Sequence, residues 1–194
     1  LGHLLQKREC LENVVSTSSS VSYMIRCRTL LDATSPAEKR TFSKRMKPYF
    51  DLLHTVTADE IDAQMHVHNL RYLQWTLWAA GKHSAKCGWD SEEALRRGLG
   101  WVVRKHDVTF RAAAVADDQI VVRTWVAEVA KYAARRKYVV CRPADKTVLA
   151  RVETRWVYVD LTEHKVLAIP DELESQMMVA DRIPPMPWEN ANAG

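Results

Sequence analysis

From residue 49 onward, apolar residues fall into long segments with short polar separators, and their spacing sorts them into strands and helices. "YFDLLHTVT" (49–57) is short and rich in β-branched and aromatic residues, which predicts a strand. From Asn69 to Ser84 no glycine or proline intervenes until Gly81. Leu70, Leu73, Leu77 and Gly81 form one stripe at helical spacing, while Tyr72, Trp75, Trp78 and Ala79 occupy much of the remaining surface. A helix apolar nearly all round is expected to be buried. Ser91, Glu92 and Glu93 open a short second helix. Four strand segments then follow in a row: "WVVRKHDVTF" (101–110), "QIVVRTWVAEVA" (119–130), "RRKYVVCR" (135–142) and "TVLARVETRWVYVDL" (147–161). "PDELESQM" (170–177) begins with proline at a first-turn position followed by acids, the signature of a helix start.

Short polar separators such as "VADD" and "PADK" suit consecutive antiparallel pairing. One strand, one long helix and four strands predict an α+β layout in which a single antiparallel sheet wraps one central helix. A parallel nucleotide-binding arrangement would need helices between the later strands, and none fits there. The boundaries expected are a folded domain over 46–180, a proline-containing tail over 181–194, and a loosely ordered extension over 1–45.

Charge sharpens the view of that extension. The chain carries 28 basic and 24 acidic residues. Eight basic and four acidic residues lie at or before Arg45, leaving twenty of each beyond it. The net charge of +4 thus resides in residues 1–45. A neutral folded part argues against a domain built to neutralise a phosphate backbone, so no nucleic-acid partner is expected. The basic, Ser-rich extension also has the composition of an organelle transit segment, although it holds four acids and lacks a clean amphipathic helix. Apolar residues make up 47 %, and no apolar run approaches the roughly 20 residues needed to span a bilayer. Cys10, Cys27, Cys87 and Cys141 are scattered without a CxxC pair, which suits a reducing compartment. A cytoplasmic location is expected, or an organelle matrix if residues 1–45 are a transit segment.

The chemistry concentrates in "DEIDAQMHVHNLRYLQW" (59–75). Asp62, then "HVHN", then "LRYLQW" resembles the D-x-x-G-H-V-N-N-x-x-Y-L-x-W stretch of hot-dog-fold acyl-CoA thioesterases related to 4-hydroxybenzoyl-CoA thioesterase. The likeness covers about residues 47–177, through "FRAAAVADDQIVVRTWVAEV" and "ARVETRWVYVDLTEHKVLAIPDEL". It implies a hot-dog fold, a five-stranded antiparallel sheet around one long helix. It also implies hydrolysis of an acyl-CoA, or another acyl thioester, to free acid and thiol, with no cofactor. The aspartate at the position of Asp62 would attack the thioester carbonyl or activate a water. Backbone N–H groups around His68 and Asn69, at the positive end of the helix, would polarise the carbonyl oxygen. Met65, His66, Tyr72 and Trp75 would contact the acyl group, and Arg104 and Arg111 the CoA phosphates. Hot-dog proteins pair through edge strands, which implies a homodimer or homotetramer with the active site between subunits.

Each residue also has a plainer reading. Asp62 can be a turn or capping acid, Asp59 and Glu60 solvated charges at a strand end, and Asn69 a helix N-cap by type. Tyr72 and Trp75 can be ordinary core, and the arginines a solvated strand face. His66 and His68 near Asp62 raise metal binding. The other histidines nearby, His54 and His83, fall on different elements, H-E-x-x-H spacing is absent, and no metal is expected. Met65 stands where the family usually has glycine. If that position needs positive φ, methionine is strained there. The hydratase branch of the fold is disfavoured, because the histidines fall four and six residues after Asp62 with no intervening Asn-Pro. The remaining rival is a hot-dog module that binds acyl-CoA as a sensor or scaffold without turning it over.

Overall fold

The computed structural model describes residues 47–180 and 182–189. The extension expected over 1–45 and the last residues of the tail lie outside them. Five long strands form one antiparallel sheet. They are β1 (Phe50–Thr55), β2 (Leu99–Phe110), β3 (Gln119–Ala130), β4 (Ala133–Arg142) and β5 (Thr147–Asp160), in the spatial order β1-β3-β4-β5-β2. A two-residue strand β6 (Lys165–Val166) pairs with the end of β5 where β4 has run out. The helices are α1 (Asn69–Lys86), α2 (Ser91–Arg96) and α3 (Asp171–Gln176). This is the α+β layout that the element order predicts, and the hot-dog arrangement that the resemblance implies.

Three register shifts interrupt the ladders, between Val103 and Lys105, Val126 and Glu128, and Val140 and Cys141. Bulges of this kind increase local twist and bend, which helps a sheet curl around a helix. On its inner face Leu52, Ile120, Val122, Tyr138, Val140 and Val152 join Tyr72, Trp75, Ala79 and Ala80 of α1 in one core. Fully burying a large side chain such as Trp75, at 0 % exposure, contributes on the order of 1.5–3 kcal/mol.

The burial of α1 differs from the expectation. Tyr72, Trp75, Thr76, Ala79, Ala80 and His83 face the sheet, whereas Leu70, Leu77 and Trp78 are exposed. Leu70, Leu77 and Gly81 of the expected stripe therefore lie on the outer side of the helix, while Leu73 packs against the core. Two polar residues enter the core because they find partners: Thr76 Oγ1 donates to the Leu73 carbonyl (2.7 Å) and His83 Nδ1 meets Arg136 (2.8 Å). The helix also runs two residues past Ser84. Gly88, at φ 96°, then closes it, with Trp89 N–H donating to Ser84 O and Gly88 N–H to Ala85 O. This pair of bonds is a Schellman stop, which favours glycine at that place.

The outer face of the sheet is covered as well. Val121, Trp125, Val139 and Cys141 pack with Tyr49, Ala180, Met186 and Trp188. Ala180 N–H donates to Val126 O (2.9 Å), and the buried Arg123 guanidinium holds both Asp51 carboxylate oxygens (2.6 Å each) and the Pro185 carbonyl. Burial on both faces explains why "QIVVRTWV" reads as a near-continuous apolar run.

Candidate active site

Between β1 and α1 the chain makes a closed turn. Ile61 and Val67 form an antiparallel bridge. Asp62 N–H donates to His66 O (2.8 Å), and Met65 N–H to Asp62 O (3.0 Å). The half-buried Asp62 carboxylate points into this turn, its Oδ1 accepting from Gln64 N–H (2.8 Å) and, more weakly, His66 N–H (3.4 Å). Its Oδ2 is not engaged among the described residues. Met65 has φ 64° and is exposed. The position that carries glycine in the resembling family thus has the left-handed backbone here, and methionine adopts it at a cost of about 1–3 kcal/mol.

Glu60 anchors the turn, which corrects its reading as a solvated charge. It is 3 % exposed. Its Oε1 accepts from Trp75 Nε1 (2.8 Å), and its Oε2 from Thr57 N–H (3.0 Å) and His54 Nε2 (2.8 Å). Burial pushes its carboxyl up, but the bonds from Thr57, His54 and Trp75 outweigh that and hold it below its ordinary value. The Glu60 carbonyl also accepts from His68 N–H (2.9 Å). One residue thereby ties the turn to the helix start and to the core tryptophan. Its burial could not be read from the sequence, because a carboxylate gives no periodicity signal of burial.

The helix start differs from expectation in detail. The N-cap is His68 rather than Asn69, and its Nδ1 accepts from Leu70 N–H (3.2 Å). With His68 N–H bonded to Glu60 and Leu70 N–H capped, Asn69 N–H is the first-turn donor with no partner among the described residues. Val67 N–H donates to Ala114 O (2.9 Å), so the loop after β2 lies against the turn. Tyr72 reaches the same loop, its hydroxyl accepting from Ala114 N–H (3.0 Å). Tyr72 and Trp75 are thus core residues committed to structural bonds. His66 is exposed, and so are Arg104, at the β2 bulge, and Arg111, just beyond β2. No group of three or more metal-ligating side chains occurs among the described residues. No helix among them is long and apolar enough to cross a membrane.

A second concavity lies toward the other end of α1. It is a cavity of about 270 Å3, walled by Leu77, Gly81, Trp89, Leu95, Trp101 and Trp156, with Arg136 also on its lining. Arg136, on β4, is 7 % exposed and lies inside.

Comparison with known proteins finds the family model for the acyl-ACP thioesterase N-terminal domain over residues 47–177. Over 85 residues the chain is 31 % identical to a chloroplastic acyl-(acyl-carrier-protein) hydrolase of Cuphea viscosissima. Over the same length it is 29 % identical to a palmitoyl-acyl carrier protein thioesterase of Cuphea hookeriana. These matches cover 44 % of this chain but only 21 % and 20 % of those proteins. Among solved structures, a 1,4-dihydroxy-2-naphthoyl-CoA thioesterase from Synechocystis superposes with TM-score 0.63 at 18 % identity, covering 70 % of this chain and 99 % of its own. A 4-hydroxybenzoyl-CoA thioesterase gives 0.61 at 16 %, covering 68 % and 99 %. At these identities the likeness shows the fold.

Proposed function

The chain belongs to the acyl-ACP thioesterase family through residues 47–177, and from that membership we propose that it hydrolyses an acyl thioester to a free acid and a thiol. The observation that carries the reading is the Asp62 turn. A carboxylate with one oxygen held by backbone N–H groups and the other free stands just before a helix whose first turn keeps an unbonded N–H at Asn69. A thiolate is a good leaving group, so one carboxylate and one oxyanion donor can suffice. Asp62 either attacks the carbonyl carbon, expelling the thiolate and leaving an anhydride for water to open, or takes the proton from an attacking water. Asn69 N–H is the donor for the oxyanion. His68 contributes as the cap that orients this turn, since its own N–H is already bonded to Glu60.

The carrier proposed is coenzyme A, with exposed Arg104 and Arg111 as cations for its phosphates; acyl carrier protein is the carrier named by the family. Met65 and His66, exposed on the turn, are placed to meet the acyl end of the substrate. The edge of β2, unpaired among the described residues, supports a homodimer, or a tetramer built from it, with the site between subunits.

The test is thiol release from a panel of acyl-CoA and acyl-carrier-protein thioesters, with Asp62→Asn beside the native chain. Turnover in the native chain that falls at least 10²-fold in the variant, with thioester binding retained, is the expected result. A native chain that binds acyl-CoA but is inert across the panel would make it a sensor or scaffold instead.

A further inference from the structure

The cavity at the C-terminal half of α1 has features that a hydrocarbon site does not require. Arg136 on its lining is 7 % exposed. Among the described residues its guanidinium meets neutral groups: His83 Nδ1 at 2.8 Å, Ser84 Oγ at 3.3 Å and Thr124 Oγ1 at 3.5 Å. No carboxylate is within ion-pair distance of it among the described residues. His83 adds no charge to balance it. Burial first, then Arg136 and Lys86, push that imidazole down to about 4, so it is neutral at pH 7. The end of α1 offers only about half a negative charge. A buried cation without a counter-ion costs several kcal/mol.

Trp156 lines the cavity as well. Its indole N–H is buried beside the Tyr138 hydroxyl of the core and can only donate, so it supplies no counter-ion for Arg136.

Gly81 is an independent sign. It sits inside α1, where glycine costs roughly 1 kcal/mol relative to alanine. A Cβ there would meet nothing within 4 Å, so packing within the protein does not explain the glycine. What it preserves is open space between the helix backbone and the cavity it lines.

We propose that this cavity binds an apolar ligand ending in a carboxylate, with Arg136 as the counter-ion and Gly81 leaving room for the chain. Its volume is near the lower end of the roughly 300–1,000 Å3 of small-molecule sites, which suits a medium-length aliphatic or a single-ring acid. The inference does not depend on hydrolysis at Asp62. Two sources supply such a carboxylate: a free acid, or the distal end of an acyl group that carries a second carboxyl.

Trp89, Trp101 and Trp156 make the test direct, by fluorescence titration with octanoate and, separately, 1-octanol. Octanoate is expected to bind at least tenfold tighter than the alcohol. Arg136→Met, which removes a buried unbalanced charge and should fold, is expected to erase that preference. Gly81→Phe, which places a ring in open space, is expected to abolish binding of both while leaving the thermal transition in place. Equal affinity for acid and alcohol, or a preference untouched by Arg136→Met, overturns the proposal. Kinetics with azelaoyl-CoA against nonanoyl-CoA then identify the source. A tenfold loss in kcat/KM for the dicarboxylic substrate alone in Arg136→Met assigns the carboxylate to the acyl end, and unchanged ratios assign it to a free acid. Octanoate binding in a chain that hydrolyses no thioester leaves this site standing and removes only the hydrolase reading.

Discussion

Met65 and Glu60 hold the turn in opposite ways, one under strain and the other by bonds. Because Met65 is at φ 64° and its side chain is largely in solvent, Met65→Gly should stabilise the chain by about 1 kcal/mol, read as a rise in the denaturant midpoint. If its side chain meets the substrate, the same variant should raise KM. Glu60 sets an acid limit. Its carboxyl is held below its ordinary value of 4.5, so its stabilisation is complete above that value and is lost as pH falls through the lower folded one. Melts from pH 7 to 3 should show this loss in the native chain and a flatter profile in Glu60→Gln. At pH 7 that variant should be less stable by about 1–3 kcal/mol, because an amide nitrogen now faces the Thr57 and His54 donors.

At the scale of elements, α1 shows where a sequence is legible and where it is not. Its existence and start at Asn69 follow from an unbroken apolar segment, and β3 is found at the span its residues predict. The buried face does not follow. Leucines on one side and aromatics on the other give the periodicity two answers. Tyr72 and Trp75 face the sheet, Trp75 reaching Glu60 and Tyr72 reaching Ala114, while Trp78 stays exposed. Such bonds join residues far apart in sequence, so no local pattern announces them. The same limit hid Arg136, whose surroundings come from α1 and from two neighbouring strands. Gly81 turns this into a measurable quantity. Gly81→Ala should stabilise α1 by up to about 1 kcal/mol in thermal melts, since its new methyl meets no obstacle.

At the scale of the whole molecule, the strand order leaves β1 and β2 as the sheet edges among the described residues. Edge strands present unpaired backbone groups that a second copy can pair with. The twelve residues of β2 include exposed Val102 and Phe110 among charged neighbours. If two copies pair there, Val102→Lys should halve the mass seen by sedimentation, and turnover should fall with it.

Cys141 gives the covered outer face of the sheet a practical use. Its thiol is fully buried beneath the cluster that includes Met186 and Trp188, and burial pushes it up to about 12. At neutral pH almost none of it is thiolate, so alkylating reagents should reach it only when the cover lifts. Its labelling rate, resolved by peptide mapping, becomes a clock for detachment of the C-terminal segment.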